Sequence, residues 1–147
     1  MNASSIVTAA ILVIGDEILS GRTKDKNIGY IAEYLTALGI DLKEVRVVPD
    51  DEAEIVAALN AMRGRYSYVF TTGGIGPTHD DITADCVAKA FGAELEFHPE
   101  AVKIISERAA KMGTGMNEAR MRMARIPKGA ELVPIRCPVP RASGSAT

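Results

Sequence analysis

Apolar residues run without interruption from Ala9 to Ile14 and stop at Gly15-Asp16. That is the pattern of a parallel strand covered on both faces, and it predicts a first strand over Thr8 to Ile14. After a polar stretch from Glu17 to Lys26, the apolar positions change period. Ile28, Ile31, Leu35 and Leu38 recur at helical spacing, and Gly39 supplies the stop. Leu42, Val45, Val47 and Val48 predict a second strand ended by Pro49-Asp50-Asp51, and Ile55, Val56, Leu59 and Met62 a second helix. Tyr68-Val69-Phe70 reads as a third strand, and the pattern turns helical again from Ile82 to Phe91. Further on, Glu94 to Phe97 predicts a short strand, and Pro99 suits the first position of a helix carrying Val102, Ile105, Ala109 and Met112. Gly113-Thr114-Gly115 breaks that helix before a shorter one around Glu118 to Ala124, and a late strand is expected over Ala130 to Val133.

Strand and helix therefore alternate, which predicts an α/β fold: a three-layer αβα sandwich with a mainly parallel sheet and right-handed crossovers. No repeat or linker divides the chain. A single domain is expected over residues 1–137, followed by a flexible tail over 138–147, where Pro, Ser, Ala and Gly dominate.

The chemistry concentrates in one turn. Thr71-Thr72-Gly73-Gly74-Ile75-Gly76-Pro77-Thr78-His79-Asp80-Asp81-Ile82-Thr83 joins the end of the third strand to the start of a helix. Clustered glycines let the backbone approach a phosphate, and the N–H groups of the following helix add partial positive charge. Two acids beside a phosphate repel it unless a cation or a proton intervenes, so the loop suggests a divalent ion of the magnesium type. In an open parallel sheet the crevice lies beyond the carboxyl ends of the strands. The loop after the first strand then brings Asp16, Glu17, Ser20, Gly21, Arg22, Asp25, Lys26 and Asn27 to that edge, and the loop after the second brings Asp50 and Asp51. Such a gathering of carboxylates costs stability unless something offsets it, which marks a candidate site.

Taken singly, these residues have plainer uses. Asp50 or Asp51 could cap the second helix, Asp81 or Thr83 the next, and Asp25 or Asn27 the first, while Gly21 could be a turn. His79 could donate to a phosphate or be incidental. Arg120, Arg122 and Arg125 could form an anion-binding face or a solvated one beside Met121 and Met123.

Composition narrows the classes. The chain has 147 residues, 47% hydrophobic and 24% charged, with a formal charge of -2 and no block of one sign. These values fit a soluble domain and give no electrostatic footprint for nucleic acid or an acidic membrane surface. Its longest apolar run is too short to span a bilayer, and a cytoplasmic protein is expected. Cys86 and Cys137 make no CxxC or Cys/His spacing, so neither a disulfide framework nor a zinc site is indicated. There is no GxGxxG after the first strand, no GxxxxGK[ST] and no GxSxG, which argues against dinucleotide oxidoreductases, P-loop NTPases and nucleophile-elbow hydrolases.

Several motifs occur together: Gly15-Asp16-Glu17-Ile18-Leu19-Ser20-Gly21, Asp25-Lys26-Asn27, Val48-Pro49-Asp50-Asp51, and Thr72-Gly73-Gly74-Ile75-Gly76-Pro77-Thr78 with Asp80-Asp81-Ile82-Thr83. In this order, over roughly Ala9 to Val133, the chain resembles the molybdopterin-binding domain of molybdenum-cofactor biosynthesis proteins. The GPTxDDIT form is most similar to the amino-terminal domain of competence/damage-inducible proteins. The resemblance implies binding of a phosphorylated pterin (molybdopterin) or a nucleotide at the glycine loop. It also implies magnesium-dependent nucleotidyl transfer in the biosynthetic branch, or hydrolysis of ADP-ribose-like diphosphates in the competence branch.

By the same resemblance Asp50 and Asp81 are the expected catalytic and metal-handling acids, and Thr72, Gly73, Gly74 and Gly76 the phosphate-contacting loop. Asp16 and Thr83 complete the expected binding set. Related domains form trimers or dimers, so a homo-oligomer is expected. The family usually continues through a glycine- and proline-containing loop into a further strand and helix, of which Cys137-Pro138-Val139-Pro140 resembles only the beginning, so a shortened domain is expected too. A non-catalytic ligand-binding module and an assembly role remain alternatives at this point.

Overall fold

A computed structural model of the chain describes residues 5–134. The expected domain end at 137, the tail over 138–147 and Cys137 lie outside the described residues. The elements, in order, are β1 (Thr8–Ile14), α1 (Asp16–Leu19), α2 (Asn27–Ala37), β2 (Asp41–Val48), α3 (Glu52–Arg63), β3 (Tyr68–Thr72), α4 (Thr83–Phe91), β4 (Leu95–Phe97), α5 (Pro99–Lys111), α6 (Glu118–Arg122) and β5 (Arg125–Pro127).

β1 lies at the centre of a parallel sheet of order β2-β1-β3. Its position explains its sequence, since a strand flanked on both edges and covered on both faces has no solvent side to mark with polar residues. From Ala9 to Ile14 no residue is more than 2% exposed. Ala10, Leu12 and Ile14 face one layer, where Ile55, Ala58, Leu59 and Met62 of α3 meet Cys86 and Ala90 of α4. Fully burying a side chain such as Leu12, Ile55 or Met62 contributes about 1.5–3 kcal/mol, so this layer is the main stabilising contact. Burial also pushes the Cys86 thiol up to about 11, with the Glu52 and Asp85 carboxylates adding to the effect. It is a packing residue and not a nucleophile.

The opposite face carries α2. Register places Tyr68 beside Ala9 and Phe70 beside Ile11, and with Tyr30, Ile31, Tyr34 and Leu38 these aromatics line an apolar crevice of about 370 Å³ between α2 and β3. The three layers are therefore α2, the parallel sheet, and α3 with α4, as the periodicity predicts. At the lower end of β2, the Tyr66 hydroxyl donates to Glu44 Oε2 at 2.6 Å. That bond, ahead of the neighbouring Arg46, holds the Glu44 carboxyl below its ordinary range.

One expectation needs correction. The late strand is Arg125–Pro127 and not Ala130 to Val133. It pairs antiparallel with β4, Glu96 opposite Ile126, and the pairing is framed by His98 N–H on Ala124 O (3.0 Å) and Lys128 N–H on Glu94 O (2.8 Å). A turn follows at once, with Ala130 N–H on Pro127 O, and it leads the chain off the ladder, so Val133 is 85% exposed. The short strand expected over Glu94 to Phe97 is present as β4, and with β5 it forms a two-stranded ribbon separate from the parallel sheet. In addition, the polar stretch after β1 holds a one-turn helix, α1, and α6 ends at Arg122. Among the described residues no helix is long and apolar enough to cross a membrane.

Candidate functional site

The carboxyl ends of three parallel neighbours must emerge side by side, and the loops that follow them meet. Gly15 N–H donates to Val48 O at 3.0 Å, which fastens the end of β1 to the end of β2. One residue beyond Gly15 and two beyond Val48, Asp16 N–H donates to Asp50 Oδ2 (3.0 Å) and Asp50 N–H to Asp16 Oδ1 (3.3 Å). Each carboxylate thus commits one oxygen to the other's amide and, among the described residues, keeps one unclaimed. None of the ion pairs among the described residues includes either acid.

On the other side of β1 the glycine loop leaves β3 and returns to α4. Each of its glycines answers a different neighbour. At Gly73 φ is +90°, and a Cβ there would lie 1.9 Å from the Ile14 carbonyl oxygen. A Cβ on Gly74 would lie 2.3 Å from Thr83 Oγ1, and one on Gly76 would lie 2.7 Å from Asp81 Oδ2. The loop is therefore pressed against the end of β1, the first residue of α4, and its own aspartate. Thr83 is buried at 3% exposure, and its hydroxyl donates to the Gly73 carbonyl at 2.9 Å while Thr83 N–H donates to Gly74 O at 3.1 Å. It shapes the loop from behind. Thr83→Val keeps the volume and removes the donor, leaving the Gly73 carbonyl with one partner fewer. A loss of about 1–3 kcal/mol in urea unfolding is expected, with Thr83→Ser recovering most of it; a Val variant as stable as the parent would show that the bond is dispensable.

Asp81 sits at the far end of the loop and accepts from Thr78 through both the backbone N–H (2.9 Å) and the hydroxyl. Burial pushes its carboxyl up, but the donors from Thr78 and Gly76 together outweigh that, and the group is held below its ordinary range. It is ionised at neutral pH. Asp81 is therefore fastened to the loop's own turn, while Asp50 is paired with Asp16. The capping alternatives resolve at the same time: Asp51 caps α3 by accepting from Glu54 N–H at 3.0 Å, Asp25 accepts from Ile28 N–H at the start of α2, and neither Asp81 nor Thr83 caps α4 through its side chain. His79 is exposed in the loop.

Between the first loop and the glycine loop lies an open cavity of about 390 Å³, whose polar wall is Glu17, Thr23, Lys24, Asp25, Lys26, Asn27 and Thr72. Thr72 Oγ1 is buried with no hydrogen-bond partner among the described residues. Buried hydroxyls are nearly always paired, so an orphan in a cavity wall marks a place where an acceptor belongs. Thr72 and Gly73 were legible from the glycine motif, but Thr23 and Lys24 were not. Their only signal is membership of the loop after the first strand, with no motif of their own.

Comparison with known proteins gives the family. A family described as "Probable molybdopterin binding domain" matches residues 10–133. A protein of Aeropyrum pernix is 40% identical over 93% of this chain and 50% of its own length. A CinA-like protein of Anaeromyxobacter is 39% identical over 86% of this chain and 31% of its own length. The chain thus spans about half, or less, of the curated relatives it matches. Among solved structures, the CinA protein of Thermoplasma acidophilum superposes with a TM-score of 0.75 at 34% identity, covering 84% of this chain and 72% of that one. The tungsten-cofactor-synthesizing protein MoaB of Pyrococcus furiosus superposes at 0.54 and 28% identity, covering 75% and 66%. This chain belongs to the molybdopterin-binding domain family of molybdenum-cofactor biosynthesis proteins, on the CinA-like side of it.

Proposed function

We propose that this domain binds a phosphorylated nucleotide or pterin with a phosphoryl group at Thr72 and Gly73, and that it hydrolyses a nucleoside diphosphate linkage of the ADP-ribose kind. The observation that carries the reading is the orphaned Thr72 hydroxyl in the wall of a cavity that also holds Lys24 and Lys26. A phosphoryl oxygen supplies the missing acceptor, and Lys24 and Lys26 supply cationic donors to it. Glu17 and Asp25 in the same wall balance their charge, which is a reason for a cation to accompany the phosphate.

The reaction is attack of water on phosphorus: the new P–O bond forms as the bridging P–O bond breaks, giving AMP and a sugar phosphate from ADP-ribose. Asp81, ionised and held by Thr78, is the group that orients the water and takes its proton. The carboxylate pair of Asp16 and Asp50 fits a divalent cation, since among the described residues each keeps one unclaimed oxygen and no cationic side chain pairs with them. Among the described residues no cluster of three or more acidic, His or Cys side chains could enclose a metal. Phosphate and water must complete the shell, as is usual for magnesium. When bound, such an ion would neutralise charge developing on the phosphoryl oxygens.

A second reading, nucleotidyl transfer, has one observation in its favour: a relative 38% identical over 86% of this chain is named a probable FAD synthase of Caenorhabditis elegans, and this chain covers 27% of it. There a phosphorylated acceptor takes the place of water. Incubation of the chain with ADP-ribose, with and without magnesium or cobalt, tests the first reading. Metal-dependent release of AMP is expected; no release from ADP-ribose, together with release of diphosphate from ATP only when a phosphorylated acceptor is present, would replace it with the second.

A further inference from the structure

Beside the Gly74–Gly76 half of the glycine loop lies a second, smaller cavity of about 170 Å³. It is bounded by Gly74, Gly76 and Asp81 of the loop, by Asp85 in the first turn of α4, and by Arg122 and Arg125. The two cavities share one loop, since Thr72 and Gly73 line the first and the very next residue begins the lining of the second. Arg125 gives one Nη2 contact to Asp85 Oδ2 at 3.2 Å, yet its Nε is buried and finds no acceptor among the described residues. Arg122 takes part in none of the ion pairs found there. Arg120, by contrast, turns away to the Gly115 carbonyl. Arg122 and Arg125, with guanidinium donors unclaimed among the described residues, thus line a cavity against the half of the loop that the first phosphoryl group does not occupy.

We propose that this cavity is a second oxyanion subsite, in which Arg122 and Arg125 receive the distal phosphoryl group of a ligand whose proximal phosphoryl lies at Thr72 and Gly73. The inference rests on the phosphate-binding reading above and adds a preference to it: two linked phosphoryl groups over one. Guanidinium matches a phosphoryl oxyanion through parallel N–H donors. Asp85 and Asp81 balance the two arginines, so the cavity carries little net charge and recognises its ligand by directed donors. It gives a free phosphate little reason to enter and rewards one already tethered across the loop. Arg125 is also the clasp between β5 and α4, through Asp85, and holds its own donor in place. Arg122 has no such structural duty.

The test is calorimetric binding of ADP and of AMP, with magnesium present, to the parent chain and to Arg122→Gln, with thermal unfolding of both. The parent should bind ADP roughly tenfold more tightly than AMP, and Arg122→Gln should erase that difference while leaving AMP affinity and unfolding temperature unchanged. Equal loss of ADP and AMP affinity in the variant, or a drop in unfolding temperature with the ratio intact, would make Arg122 a structural residue and overturn the subsite. A parent that binds both nucleotides equally would overturn the subsite and leave the single-phosphate site standing. Binding of neither would overturn both.

Discussion

Gly73→Ala is expected to cost this domain at least about 4 kcal/mol, the range in which a single substitution signals a specific steric failure. Two costs combine. The backbone at Gly73 has φ +90°, which an L residue adopts only under strain. The added methyl would also fall 1.9 Å from the Ile14 carbonyl oxygen, well inside any contact distance. Relief by movement is not available to Ile14, which is 1% exposed, closes the central strand of the sheet and is paired with Val48 of β2. Gly39 is the control, because its φ is +76° and an added methyl there would meet nothing within 4 Å. At that position only the conformational cost applies, about 1 kcal/mol. Thermal unfolding should separate the two, with Gly73→Ala losing more than about 10 °C or failing to fold and Gly39→Ala losing a few degrees. Similar small losses in both would mean that the loop gives way and is not pressed on β1 as described.

Asp81→Asn should leave the fold intact and remove turnover of ADP-ribose by about a hundredfold or more, the usual cost of losing a positioned proton acceptor. The amide keeps an oxygen for Thr78 N–H, so the turn survives; what disappears is the negative charge. The same substitution has a signature in acid. The native carboxyl is held below its ordinary range, so its contribution to stability is present above the unfolded-state value, near pH 4, and is lost as pH falls through the lower folded value. In the asparagine variant that share of the acid destabilisation should vanish. Turnover within a few fold of the parent would remove Asp81 from the chemistry, and an unaltered acid limb of the unfolding curve would show that its hydrogen bonds do not favour the charged form.

The parallel core was open to reading because both of its periods are strong. A wholly apolar run such as Ala9 to Ile14 belongs to a central strand, and Ile55, Leu59 and Met62 cannot all be buried except on one face of a helix. β5 was not, because Arg125-Ile126-Pro127 has no alternation to read and owes its pairing to β4 across an intervening pair of helices. At the site, the glycines were legible as a group and their reasons were not. The neighbours that demand them, Ile14, Thr83 and Asp81, are visible only once β1 and α4 are placed beside the loop. Adjacent acids posed the same problem. Nothing in Asp50-Asp51 says which side chain turns back to cap α3 and which reaches across to Asp16, since that depends on the register of β1 against β2.

The crossed bonds between Asp16 and Asp50 bear on how the mouth of the sheet moves. Because each acid holds the other's amide, neither loop can lift without releasing both bonds, and the two segments breathe as a single latch. Their amide protons then share one opening event and should exchange with solvent at a common rate, although 34 positions separate them along the chain. A cation drawn to the two remaining oxygens would slow both together, so that a pair of backbone hydrogens far apart in sequence reports, as one clock, whether the mouth is filled.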